Sequence, residues 1–351
     1  MHFDILRSLA ELEALAGEWN ALLVDSAIHV PFLRNEYLST WWQTLGGGEW
    51  AQGELFTLTA RLEDGSLAGI APLFLTDNCD GERALMFLGS IEISDYLDVI
   101  ARPEHLSQFL DGLLGFLSSP QAPDFHLLDL YNLLDSSPTL PLLQQAAQAR
   151  GWQWSQEPLQ HCPYISLPGD WETYLSGIDK KQRHEIRRKM RRAEEYDQAV
   201  RWYIVDQAAN LDSEMDGFLD LMAQDAEKAR FLTPLMRQQM KASAQAAMYA
   251  GWLQLSFMEV DGKKAAGYLN FDYLNHIWVY NSGLDFSYRE LSPGWVLLGY
   301  LLQWANEHKR QYFDFMRGDE DYKYKFGAID RRVVRVMVRR CYDAGYDLQV
   351  L

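Results

Sequence analysis

The chain is poor in cysteine, has no long apolar run, and carries fewer basic than acidic residues. Of its 351 residues three are cysteines, Cys79, Cys162 and Cys341. They lie far apart, are odd in number and form no CxxC pair. That excludes a disulfide framework and a cysteine-based zinc site, and it fits a reducing compartment. No stretch reaches the ~18 uninterrupted apolar residues that a membrane span needs. Met1-His2-Phe3-Asp4 runs at once into folded-looking sequence, with no basic region followed by an apolar one. No signal peptide is therefore expected, and the expected location is cytoplasmic. Lys and Arg total 32 against 49 Asp and Glu, a formal charge of −17. A generic duplex-binding protein would be basic, so this balance argues against one and favours solubility. No histidines pair at metal-ligand spacing, and no metal is expected. No nucleophile elbow surrounds any serine, and Cys162 beside Pro163 has no evident activator. A covalent acyl-enzyme is not supported.

Apolar residues are plentiful, at 48%, with 12 Trp and 18 Tyr. Single cores stop growing near ~250–300 residues, so two domains are expected. Helical spacing marks 8–24 and 35–45, the latter closed by Gly46-Gly47-Gly48. Residues 55–61 and 67–75 around Glu63-Asp64-Gly65 predict a hairpin. Strands are expected at 84–88, 96–100 and 125–131, and helices at 103–117 and 140–150. In the second half, helices are expected at 171–197, roughly 213–249, and 293–308. Strands are expected at 252–260, 265–273, 277–282, 312–316 and 332–340.

The halves match in order: hairpin, strand, long helix, strand. Leu55 to Gly69, with its Asp64-Gly65 turn, parallels Leu253 to Gly267, with Asp261-Gly262. Phe125 to Asp129 echoes Tyr312 to Asp314. An ordered recurrence about 190 residues later points to a duplicated domain. The join is expected near 155–168, where Pro158, Pro163, Pro168 and Gly169 punctuate the chain.

The chemistry is expected between Tyr280 and Ala328. Arg289-Glu-Leu-Ser292-Pro293-Gly294 opens a helix, with Ser292 as N-cap and Pro293 as first helical residue. Such an N-terminus offers free N–H groups and a favourable dipole to an anion, and Arg289 can add a charge-assisted contact. The helix behind it is apolar all round and should be buried. Asp314 alternates with aromatics in an apparently buried strand, which requires either a partner or a raised pKa. Asp319, Glu320, Tyr322, Lys323 and Lys325 then supply acids, bases and anion ligands together. Residues 180–192 hold eight Lys or Arg and one acid. Lys180, Arg183, Arg187 and Arg191 share one face of a helix there, and Ile186 and Met190 mark its buried side. An anionic substrate, tRNA or anionic lipid headgroups would suit that face, as would pairing with its own acidic neighbours. His161, His184 and His276 are weaker candidates for a general base.

These motifs resemble a known family. Hairpin, strand, Arg289-x-x-Ser292-x-Gly294, helix and strand look like the GNAT acyltransferase fold. Tyr280-x-x-Gly283-x-Asp285, Ser292-Pro293-Gly294, Phe313-Asp314-Phe315-x-x-Gly318-Asp319-Glu320-x-Tyr322-Lys323 and Phe326-Gly327 resemble its CelD/BcsL-type branch, which is related to the Fem-type aminoacyl transferases. Ser292 replaces the first glycine of that fold's phosphate loop, and Pro293 removes one N–H donor.

The resemblance implies an α/β (α+β) fold of two tandem GNAT-like domains. Each would be a mixed, mostly antiparallel sheet flanked by helices. Residues 1–160 would form a domain without a donor site. Residues 161–351, including the basic helix 179–197, would form the catalytic one. Acyl-coenzyme A is the implied co-substrate, held by Arg289, Ser292, Gly294 and Ser282, with a strand N–H near Tyr280–Ser282 polarising the thioester. Asp314 or Glu320 would serve as base, and Tyr322 or Tyr280 as acid. Lys323, Lys325, Arg187 and Arg191 would hold substrate. The acceptor would be a small molecule, glycan or lipid of cell-envelope or polysaccharide metabolism. The alternatives are an aminoacyl-tRNA donor, as in Fem-type relatives, and a non-catalytic module that binds an anionic polymer or the inner membrane face through 180–192. Nothing in the sequence specifies an oligomeric state.

Overall fold

The computed structural model describes residues 1–340, so Cys341 lies outside the described residues. The chain forms two compact units. One comprises Met1–Leu159 and the described residues from Val333 onward, the other Gln160–Arg332.

The first unit opens with β1 (His2–Leu6), α1 (Leu9–Ala14), α2 (Ala16–Val24) and α3 (Asn35–Gly48). Then come β2 (Glu54–Leu55), β3 (Thr57–Arg61), β4 (Leu67–Ala71), β5 (Leu73–Asp77), β6 (Arg83–Phe87) and β7 (Ile100–Ala101). They are followed by α4 (Pro103–Leu117), β8 (Leu127–Leu134), α5 (Thr139–Ala149) and β9 (Gln153–His161). The backbone turns left-handed at Leu45, Gly46 and Gly47, which ends regular α3 where the glycine run predicts. The strand expected over 67–75 breaks at Pro72, whose missing N–H interrupts a ladder. As a result β4 enters the sheet β1-β3-β4-β7, and β5 enters a second sheet. Only two residues of the strand expected near 96–100 form, as β7, and residues 93–99 before it are a buried connection.

The second unit contains β10 (Tyr164–Ser166), α6 (Trp171–Gly177), α7 (Lys180–Glu194) and β11 (Val200–Ile204). The helix expected over 213–249 is three helices, α8 (Leu211–Met222), α9 (Ala226–Phe231) and α10 (Pro234–Tyr249). Asp225 caps α9 by accepting from the N–H groups of Glu227 and Lys228, and Thr233-Pro234 starts α10. Strands β12 (Leu253–Val260), β13 (Lys263–Tyr273) and β14 (His276–Leu284) form an antiparallel meander. Helix α11 (Pro293–Glu307) then leads to β15 (Tyr312–Asp314), which runs parallel to β14, and to a short α12 (Asp321–Lys325). The sheet order is β10-β15-β14-β13-β12-β11. Val296, Leu297, Leu298, Leu301 and Leu302 of α11 are buried with Ile186 and Met190 of α7 and Ile277 of β14.

The last strand departs from the expected domain division. β16 (Arg332–Arg339) pairs antiparallel with β8, so it completes the first unit's sheet, β2-β5-β6-β8-β16-β9. Its buried valines alternate with arginines that meet first-unit carboxylates. Arg335 is bidentate to buried Asp129, at 2.7 and 2.8 Å, and Arg339 is bidentate to Glu82, at 2.5 and 2.6 Å. Those partners lie 206 and 257 residues earlier, beyond the reach of any local pattern.

Candidate active site

The site forms where a parallel strand pair separates. β14 and β15 are in register only from His276↔Tyr312 to Trp278↔Asp314. β14 runs on to Leu284 while β15 stops at Asp314, so beyond Trp278 that edge of β14 has no strand partner. A bulge falls at the same place. Leu269 opposes Asn281 and Asn270 opposes Val279, which leaves Tyr280 as an extra residue. The two faces of β14 are covered closely. A Cβ on Gly283 would lie 2.6 Å from the Met222 backbone nitrogen of α8, and one on Gly294 would lie 2.6 Å from Leu284. Successive strand residues point to opposite faces, so α8 packs on one side of β14 and the start of α11 on the other.

On the α11 side lies a cavity of about 330 Å³, lined by Lys189, Tyr268, Ser282, Leu284, Asp285, Phe286, Arg289, Ser292, Pro293, Gly294, Trp295 and Tyr322. It is rich in unsatisfied donors. Ser292 occupies the N-cap position of α11 but has left-handed dihedrals (φ 53°, ψ 54°) and its hydroxyl makes no capping bond. The expected side-chain cap is therefore absent. The left-handed backbone is the conformation that glycine adopts at least cost. Ser292 thus keeps the backbone shape of a glycine loop without its glycine. The N–H groups of Gly294 and Trp295, in the first helical turn, have no intrahelical acceptor. The buried indole N–H of Trp295 also lacks an acceptor among the described residues. Arg289 is exposed and makes no ion pair among them. Lys189 reaches in from α7, its ammonium 4.3 Å from the Trp295 ring centroid, and burial lowers its pKa.

Two tyrosines, Tyr268 and Tyr322, also line the cavity. Burial and the nearby Glu320 carboxylate push the Tyr322 pKa well above the usual phenol value. Its hydroxyl has no protein partner among the described residues. Tyr268 is almost fully buried, donates to the Gly294 carbonyl at 3.3 Å, and has its pKa raised by burial first, then by Tyr322 and Glu320. Both phenols stay protonated and can donate.

Several expected residues are placed elsewhere. Asp314 is fully buried and does not line the cavity. Its carboxylate accepts from the Met316 N–H at 2.8 Å and pairs with Arg331, with His276 at 3.6 Å. That makes it a structural ion pair whose partner, Arg331, lies outside the charged cluster from 317 to 325. Lys323 is also buried, and its ammonium donates to the carbonyls of Phe315, Arg317 and Gly318 and pairs with Glu320 at 2.8 Å. With three donors already engaged it fastens the loop after β15 and has none left for a ligand. Tyr280 stacks on Phe271, ring centroids 5.3 Å apart, so its contribution to the site is the backbone bulge. The Ser282 N–H is taken by Asn281 Oδ1 at 2.8 Å, although the Ser282 side chain lines the cavity. Lys325 pairs weakly with Asp321 at 3.9 Å, outside the cavity. Arg187 pairs with Glu172. Arg191 is exposed and lines a separate groove with Arg188, Arg192, Glu195, Tyr196 and Asp197. Glu320 sits near the tyrosines through its effect on both, while its carboxylate holds Lys323.

Lys189 and Tyr268 are among the cavity residues that escaped sequence reasoning. Lys189 had a signal, because it falls between Ile186 and Ala193 on the buried stripe of α7. Tyr268 had none, since β13 is buried on both faces.

Residues 180–324 match the family model of the acetyltransferase (GNAT) domain. The unit that holds the cavity has a GNAT acyltransferase-like fold. The whole chain superposes on the crystal structure of FemX with a TM-score of 0.62 at 11% identity, covering 96% of this chain and 97% of that one. L-PGS from Bacillus licheniformis gives 0.55 at 11% identity, with 96% and 94% covered. At this identity the likeness establishes the fold, a mixed α/β arrangement of sheets flanked by helices. No curated protein matches the chain. No helix among the described residues is long and apolar enough to cross a membrane, and no group of side chains among them has the makings of a metal site.

Proposed function

We propose that the chain is an acyltransferase that moves an acyl group from acyl-coenzyme A to an amine or hydroxyl acceptor. The observation that carries this reading is the placement of an anion-ready helix start beside a separated, bulged strand edge, with a protonated tyrosine between them. The residues fit the donor. Gly294, Trp295, Arg289 and Lys189 present N–H groups and cations to its phosphates. The β14 edge, open beyond Trp278, offers backbone to its pantetheine arm and thioester carbonyl.

The acceptor nucleophile adds to the thioester carbonyl carbon. The C–S bond then breaks, and the departing thiolate takes the proton of Tyr322, which is protonated at neutral pH and is restored from solvent. Glu320, directly or through water, receives the proton that the acceptor gives up. Asp314 has no part in these steps.

Acetyl- and longer acyl-coenzyme A should raise the melting temperature and release free thiol with pooled amine acceptors. No shift with any acyl-coenzyme A would overturn the reading. A second reading, an aminoacyl-tRNA donor, is favoured by the exposed cations of α7, among them Lys180, Lys181 and Arg191. It requires tRNA binding that is lost when Arg187, Arg188 and Arg191 become Glu. The acceptor class proposed is a small molecule, glycan or lipid, and the proposed location is cytoplasmic, at or near the inner membrane face.

A further inference from the structure

The side of β14 opposite the cavity carries a cation that the steps above leave unused. Lys228, on α9, sends its half-buried ammonium to the β14 edge, where it donates to Asn281 Oδ1 at 2.9 Å and to the Ser282 carbonyl at 2.5 Å. These residues immediately follow the bulge, on the stretch that β15 no longer covers. The ammonium has three donors, and two are engaged, leaving one.

Lys228 makes no ion pair among the described residues. Asp225, the acid that acts on it most strongly, also caps α9 by accepting from the N–H groups of Glu227 and Lys228. Glu320 acts on Lys228 from a distance and is already paired with Lys323 at 2.8 Å. Lys323 adds positive charge to the same region. Burial accordingly lowers the Lys228 pKa. Asp225 and Glu320 act on this ammonium favourably without pairing with it directly, and an anionic ligand at its remaining donor would supply the direct contact that neither makes.

The two faces separate the roles. Donor phosphates fit the α11 side, at Gly294, Arg289 and Lys189. Lys228 comes from the α8–α9 side, yet reaches the same residue, Ser282, whose side chain lines the donor cavity. An acceptor meeting the thioester at this strand edge from the α9 side would meet Lys228.

We infer that Lys228 binds an anionic group, a carboxylate or a phosphate, on the acceptor, so that the acceptor is an amine or alcohol bearing an acidic substituent. This rests on the acyltransferase reading for the word acceptor, but the anion site itself does not. The test uses matched pairs: amino acids against their carboxamides for the carboxylate source, and glucosamine 6-phosphate against glucosamine for the phosphate source. Calorimetry without donor should show the full-length protein binding the acidic member of at least one pair about tenfold or more tighter than the neutral one. Lys228→Met should erase that preference, and Lys228→Arg should keep most of it. Acetyl-coenzyme A affinity should be unchanged in both variants, which separates loss of the anion site from loss of fold or donor site. The same pairs in a thiol-release assay should show the preference in KM and little change in kcat. Equal affinity for both members of every pair, including no measurable binding of either, would overturn the inference, as would a preference that survives in Lys228→Met. Failure of acetyl-coenzyme A to bind would strike the acyltransferase reading and leave the donor-free result standing.

Discussion

Both units contain a parallel strand pair bridged by a helix, β6–α4–β8 in the first and β14–α11–β15 in the second, and the two helix starts differ in N-cap conformation and in the charges around them. α4 begins at extended Arg102, whose guanidinium pairs with Asp25 at 3.3 Å, and Glu104 puts an acid in the first turn. α11 begins at left-handed Ser292, with no acid in its first turn and beside it Arg289, which makes no ion pair among the described residues. The connections differ as well. Residues 93–99, leading toward α4, are buried and hold Asp98 among Ser137, Thr139 and the Val99 N–H. The connection to α11 lines a cavity. One arrangement thus yields a closed scaffold and an open site, according to whether the connection folds inward and whether the helix start is neutralised.

The largest effect that would sharpen this contrast is in turnover. Removing the hydroxyl in Tyr322→Phe should lower kcat about 10²- to 10⁴-fold, with acyl-coenzyme A affinity unchanged. Steady-state kinetics alongside calorimetry would check it, and near-wild-type turnover would mean that the open site lacks its acid. Asp314→Asn should act on stability instead. Breaking the buried pair with Arg331 should cost about 3–5 kcal/mol in urea unfolding, while kcat per folded molecule stays close to wild type. A tenfold or larger kcat loss in fully folded variant, about 1.4 kcal/mol of barrier, would return Asp314 to the chemistry.

The two helix starts can be compared directly. Arg289→Ala should weaken acyl-coenzyme A binding by about 1.5–3 kcal/mol, while Arg102→Ala leaves it unchanged. Equal effects would end the distinction between the units. The smallest effect concerns the closed connection. Burial raises the Asp98 pKa from 3.8 to about 6. The folded protein therefore holds this proton more tightly than the unfolded chain. The stability it lends is complete below the unfolded pKa and is lost as pH rises through about 6. Urea titrations should show wild type losing on the order of 2 kcal/mol between pH 4 and 7 relative to Asp98→Asn. A constant difference between the two proteins across that range would count against it.

Much of the fold was legible because it rests on local pattern. The apolar repeat and the Pro293 start define α11, and the Asp261-Gly262 turn defines the β12–β13 hairpin. Arg289, Gly294 and Tyr322, which line the cavity, belong to a helix start and a dense polar cluster, and both are features of neighbouring residues. Asp314 and Lys323 were misplaced for one shared reason. A charged side chain near a site looks the same in sequence whether it faces ligand or is buried against Arg331 or a ring of carbonyls.

The sequence by itself determined most of the order of helices and strands and the start of α11 at Pro293. These follow from backbone propensity, periodicity and capping, which act over a few residues. Tertiary structure decided which unit receives β16, where β14 parts from β15, which carboxylates are spent on buried ion pairs, and that Lys189 and Lys228 approach β14 from opposite faces. Those outcomes depend on contacts between distant residues and on how far each charge is desolvated, and both are settled only when the sheets close.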